Sequence, residues 1–313
     1  MWIEFCLSIL LLTQINCKTD FDNYEDHTTF DDEIIDDENI TENCGIMSKA
    51  SGLIQGGDFS SRHDFPWMAS ISTLNNKGIW LHKGSGSLIS RKHVIVKARS
   101  VSFLDNEKNW IPLSTDRVKI YLGTTKHADA RDEGSIEVGV RKIKNYRNAR
   151  KVSSAFSIFN FAVITLDRNV KFNDFIKPIC LWNLDETFEN ELIDKSAYAV
   201  GYGVDESGEV SHIRKHVRVT ITSDSTCRND YKDEIDAGKD SKFFCIISIE
   251  SDKTPCHFDS QLYVKVDDVW YLKGILCSAR MYMGFKICAV SYPVLAEDIS
   301  PYVKWINDEM KKS

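Results

Sequence analysis

The chain has 313 residues, of which 42% are hydrophobic and 27% charged, enough apolar material for one large core or two smaller ones. This excludes a chain disordered throughout. The formal net charge of −7 offers no overall basic surplus to attract nucleic acid.

Residues 1–17 hold an apolar run from Phe5 to Leu12, too short to span a bilayer, followed by polar residues and Cys17. This is the pattern of a secretory signal peptide, with cleavage expected after Cys17. Later apolar stretches fall short of spanning length, so the expectation is an exported protein without a membrane span. Residues 18–43 carry eleven Asp and Glu against one Lys, which leaves the remainder mildly basic. Such a block reads as a solvated propeptide or as an acidic arm that docks on a basic surface. It also holds the N-glycosylation sequon Asn39-Ile40-Thr41.

Of nine cysteines, Cys6 and Cys17 go with the signal. The seven that remain imply, in an oxidising compartment, three bridges and one further thiol. Their spacings match no zinc site and no Cys-x-x-Cys pattern, so neither metal nor cofactor is expected.

From Cys44 onward a series of motifs appears in order. These are Cys44-Gly45, Ile54-Gln55-Gly56-Gly57, Phe65-Pro66-Trp67, Gly84 to Ser90, His93 to Ser100, Ala162 to Leu166, Lys177-Pro178-Ile179-Cys180-Leu181 and Gly201-Tyr202-Gly203. Cys256-His257-Phe258-Asp259-Ser260-Gln261 follows, and Tyr302 through Met310 reads as a terminal helix with one apolar face. Together they resemble the trypsin/chymotrypsin-like serine proteases across residues 44–313. Short strands alone suggest only a sandwich or barrel. The resemblance implies an all-β fold of two packed six-stranded antiparallel β-barrels with a C-terminal helix.

The resemblance also implies bridges Cys44 to Cys180, Cys227 to Cys245 and Cys256 to Cys288, with Cys277 left as a buried thiol. An alternative pairs Cys277 with Cys256 and leaves Cys288 free. Two further family bridges have lost both partners, at Gly84 and Ser100 and at Ala197 and Val266.

The same alignment brings Ser260 to the nucleophile position, Arg99 to that of the basic histidine and Asn160 to that of the orienting aspartate. Arginine stays protonated and cannot serve as a base at neutral pH. An amide in the aspartate position favours the wrong imidazole tautomer. His257, three residues before Ser260, is the one conceivable substitute base. Phe258, Gln261 and Leu262 replace glycines of the nucleophile turn, which removes backbone freedom from the oxyanion hole. Thr254 stands where trypsin-like members select Arg or Lys, Cys277, Ser278 and Ala279 form the adjoining wall, and Val294 replaces a pocket glycine. Ile54 and Asp259, which pair on zymogen activation in the family, are both present, but Leu53 precedes Ile54.

The expectation is a secreted, non-catalytic homologue that binds an extracellular protein such as a protease, zymogen or inhibitor, as a regulator, cofactor or decoy. The alternative is a secreted hydrolase that uses Ser260 with an unconventional base. Arg141, Lys142, Lys144, Arg147, Arg150 and Lys151 form a basic run that reads either as a solvated loop or as an exosite for an acidic protein, a sulfated glycan or the chain's own tail.

Overall fold

The computed structural model describes residues 44–47, 61–127, 132–147, 149–152, 156–184, 192, 196–203, 210–237, 241–250, 255, 260–279 and 292–313. The chain divides into units 1–36 and 37–313, and everything described lies in the second. The signal segment, the acidic block with Asn39, Ile54, Thr254 and the residues from Cys256 to Asp259 lie outside the described residues, as does Cys288.

The strands of the first half are β1 (Met68–Leu74), β2 (Trp80–Leu88), β3 (His93–Lys97), β4 (Ser102–Leu104), β5 (Trp110–Pro112), β6 (Val118–Leu122), β7 (Ile136–Asn145), β8 (Arg150–Lys151), β9 (Ser157–Ile158) and β10 (Phe161–Leu166). Those of the second are β11 (Cys180–Leu181), β12 (Ser196–Gly201), β13 (Lys215–Ile221), β14 (Phe243–Ser248), β15 (Gln261–Val266), β16 (Val269–Ala279) and β17 (Val294–Asp298). Two α-helices are described, α1 (Asp224–Ala237) and α2 (Val303–Met310).

Strands β1, β2, β3, β10, β7 and β6 close into the first barrel. Strands β16, β15, β12, β13, β14 and β17 close into the second through the pairing of β16 with β17, and β11 adds a parallel edge on β16. The apolar runs of β3 and β10 are buried along their whole length. A strand covered on both faces has no solvent side to alternate with, so these runs lack the usual apolar-polar rhythm.

Strand β7 behaves differently. Val138 and Val140 face inward, and then the register with β10 slips so that Lys142 faces Thr165 while Val140 faces Leu166. Arg141 is the extra residue of this bulge. Side chains alternate with period 2, so without the slip Lys142 and Lys144 would share the inward face of Val138 and Val140.

Two disulfides fasten the second barrel's periphery. Cys44 to Cys180 ties the segment at Gly45 to β11, and Cys227 to Cys245 ties α1 to β14. On loop-closure grounds the short loop closed by Cys227–Cys245 contributes about 3 kcal/mol and the long one closed by Cys44–Cys180 about 5. Gly45 has φ +69°, and a Cβ there would meet the Trp270 carbonyl oxygen at 2.2 Å, so only glycine fits. Helix α1, which no sequence motif announces, departs from helical geometry at Tyr231, whose hydroxyl donates to the Pro293 carbonyl at 2.7 Å.

Candidate active site

Where β3 ends at Lys97 the chain makes a single 3-10 turn, Ala98–Val101, that lifts the Arg99 side chain to the surface while Ala98 and Ser100 stay buried. The turn is held by the residue that opens β10. The Asn160 carbonyl accepts the Ala98 N–H at 2.9 Å, and its side-chain Oδ1 accepts the Arg99 N–H at 3.0 Å. Partial desolvation lowers the Arg99 pKa, but a guanidinium has ample reserve and keeps its charge.

Ser260 immediately precedes β15 and is buried, with its carbonyl accepting the Leu276 N–H at 3.0 Å. Its Oγ lies against Gly201 so closely that a Cβ at that glycine would sit 2.5 Å from it. Among the described residues, no imidazole, carboxylate or amine hydrogen-bonds this hydroxyl. His257 and Phe258 lie outside them.

The next residue fastens the two barrels to each other. Gln261 is fully buried; its Nε2 donates to the Ser85 carbonyl at 3.3 Å, and its Oε1 accepts from the Ser87 hydroxyl at 3.3 Å. Tyr263, two residues on along the same face of β15, shares a 2.7 Å hydrogen bond with Ser87. Strand β2 of the first barrel is thereby bonded to β15 of the second.

Behind Arg99 lies a buried polar cluster that the sequence reading misses. Lys97 is 2% exposed and donates from Nζ to the Leu276 carbonyl. Burial, reinforced by the nearby Arg99 charge, holds its pKa down to about 7. Glu297 on β17 is equally buried; its carboxylate accepts the Phe159 N–H at 3.0 Å, the Asn160 N–H at 3.4 Å and the Ser241 hydroxyl at 2.6 Å, and also bonds the Tyr302 hydroxyl. Burial raises its pKa, and these hydrogen bonds oppose the rise. Cys277 is a free thiol in the same region that donates to the Leu295 carbonyl at 3.3 Å, and burial pushes its pKa up. An unreactive thiol results. Ser278 and Ala279 continue β16 beside it, and Val294 begins β17, buried at 3% exposure.

A second cluster joins the barrels at another point. The His127 ring, after β6, stacks on His82 of β2 at 4.6 Å and on His212, ahead of β13, at 4.7 Å. Tyr202 packs edge-on to His82 at 4.6 Å. The backbone joins there too, with the His127 N–H donating to the His212 carbonyl at 3.3 Å and the Arg214 N–H to the Thr125 carbonyl at 2.7 Å. Burial and the neighbouring His212 lower the His127 pKa. Three histidines so far apart in sequence give no spacing signal. Among the described residues no group of His, Cys, Asp and Glu has metal-holding geometry.

The basic run is distributed over three places. Arg141 is the exposed bulge residue, Lys142 and Lys144 point outward from β7, Arg147 lies in the following turn, and Arg150 and Lys151 form β8. Lys142 pairs with Glu309 of α2 at 3.4 Å. Among the described residues no helix is long and apolar enough to cross a membrane.

Residues 54–306 match the sequence model of the Trypsin family. Similar known proteins include the proclotting enzyme of Tachypleus tridentatus, 25% identical over 278 residues, covering 87% of this chain and 70% of that protein. Another is the CLIP domain-containing serine protease B9 of Anopheles gambiae, 23% identical over 281 residues, covering 86% of this chain and 65% of that one. The CLIP domain-containing serine protease HP8 of Bombyx mori is 25% identical over 280 residues, covering 86% and 72%. The family match runs from ahead of β1 through both closed barrels into α2, and on that ground the chain belongs to the trypsin family.

Proposed function

We propose that this chain is a secreted, non-catalytic member of the trypsin family that acts by binding. Its partner is an extracellular protease, zymogen or inhibitor, toward which it serves as regulator, cofactor or decoy in a protease cascade. One observation carries the reading: the residue in the base position is Arg99, and the amide of Asn160, in the orienter position, is bonded to the Arg99 backbone. General-base catalysis requires a group that can accept the hydroxyl proton, and a guanidinium cannot. Relatives named as a proclotting enzyme and as CLIP-domain proteases support the cascade context. Two disulfides support an oxidising destination.

The test is a fluorophosphonate probe, which reports an activated serine. Saturating probe leaves the folded protein unlabelled between pH 7 and 9. Labelling that vanishes in Ser260→Ala would overturn the proposal.

A hydrolase with an unconventional base is the second reading, and Lys97 is the observation that favours it. An amine with a pKa near 7 is a competent base at neutral pH. Its Nζ, however, is committed to the Leu276 carbonyl. Probe labelling of Ser260 that rises through pH 7 and disappears in Lys97→Met would establish that reading.

A further inference from the structure

The bulge at Arg141 has a consequence on the outer face of the first barrel. It turns Lys144 toward α2, and between the end of β7 and that helix lies an open groove of about 490 Å³. Its floor and walls include Tyr146 and Trp305, whose rings meet edge-to-face at 5.1 Å, and its rim carries Lys144, Arg147, Lys304 and Lys312. Lys142 stands just behind.

Two carboxylates face these five cations. Asp308 pairs with Lys304 at 3.6 Å, and Glu309 is shared by Lys312 at 2.8 Å and Lys142 at 3.4 Å. Among the described residues, Lys144 and Arg147 have no carboxylate partner, so the positive surplus is concentrated at that end of the groove.

We propose that this groove binds a sulfated glycan. Cations on a strand, a turn and a helix surround an aromatic floor, which suits a polymer that repeats anionic groups around sugar rings with an apolar face. The Arg147 guanidinium fork suits a planar pair of sulfate oxygens. An extended peptide fits less well. Such peptides dock by adding to a free strand edge, whereas the cations and aromatic rings here are spread over the end of β7, the following turn and α2. The proposal stands apart from the inert-site reading, because the probe reports Ser260 and glycan binding reports the groove.

The test uses the full chain on immobilised heparin. A protein of net charge −7 is repelled by a polyanion on average, so retention reports a local site. Retention is expected at 0.1 M salt, with release as the Debye length falls from about 10 Å toward about 3 Å at 1 M. The triple charge reversal Lys144→Glu, Arg147→Glu and Lys304→Glu weakens heparin binding about tenfold or more, taking each exposed pair as worth a few-fold. Reversal of Arg141 and Arg150, which belong to the same basic run but do not line the groove, leaves the affinity within about twofold. Desulfated heparin and a poly-glutamate peptide compete poorly. Flow-through of the full chain, equal losses in the two variants, or equal competition by poly-glutamate would each overturn the proposal, the last in favour of an acidic peptide.

Discussion

The side-chain oxygen of Asn160 holds the backbone N–H of Arg99 at 3.0 Å, so the residue in the orienter position fixes the main chain of the residue in the base position. The contact secures the 3-10 turn whatever side chain Arg99 carries. Asn160 is also bound from below, since Glu297 accepts its N–H at 3.4 Å. Introducing Asp at 160 places a second carboxylate beside a buried first one, and two like charges there oppose ionisation.

Asn160→Asp therefore lowers the melting temperature, whereas Arg99→His, at an exposed side chain, is nearly neutral. The double variant remains unlabelled by fluorophosphonate, because Ser260 Oγ still lies against Gly201 and Gln261 still fills the seam. Robust labelling of the double variant would show that these later obstacles are minor. Thermal scans with probe gels decide both points.

Gln261→Ala is expected to destabilise by about 2 to 3 kcal/mol, through the volume it vacates and the loss of its hydrogen bonds to Ser85 and Ser87 in a buried seam. Urea titration of the single variants and of the double variant with Ser87→Ala measures the coupling. Additive effects would mean that the inter-barrel bonds contribute little.

For Lys97 the folded pKa of about 7 lies below the ordinary value of 10.5. Between those values the unfolded chain binds the proton and the folded chain releases it, so stability rises with pH across that window, by at most about 1.4 kcal/mol per unit. Below pH 7 both states are protonated and the slope vanishes. Lys97→Met removes the slope between pH 7 and 9.5 and raises stability at pH 7. An unchanged slope in that variant would locate the titration elsewhere.

His127 has the same sign of dependence, in a more acidic window. Its pKa is lowered from the ordinary 6.5, so the folded state favours the neutral ring and the stability this brings is complete above pH 6.5. It is lost as pH falls below 6.5 toward the folded pKa. The two other imidazoles stack on it, and the buried Arg214 is bonded through its N–H to the carbonyl of Thr125, two residues before His127, so added positive charge is poorly accommodated. His127→Phe keeps the stack but cannot titrate. It should retain a larger share of its pH 7.5 melting temperature at pH 5 than the parent does, and identical losses would exclude His127 as the sensitive group.

The barrels were legible because runs such as Phe161 to Leu166 and His93 to Lys97 are strands covered on both faces, and the motif order resembles one family throughout. The buried position of Lys97 was not legible. A lysine closing a strand reads as an exposed end, and only the fold shows that Leu276 and Glu297 enclose it. The stacking of His82, His127 and His212 depends on strand β2 meeting two loops distant in sequence, which no local period encodes. Likewise the basic run looked like one patch, but the bulge at Arg141 and the turn before β8 send its members in different directions.

Gln261 makes one side chain the rivet of a joint. It fastens β15 to β2 through Ser85 and Ser87. A glycine at that position would therefore loosen the joint between the two barrels. The seam thus ties the cohesion of the two barrels to one side chain at the start of β15.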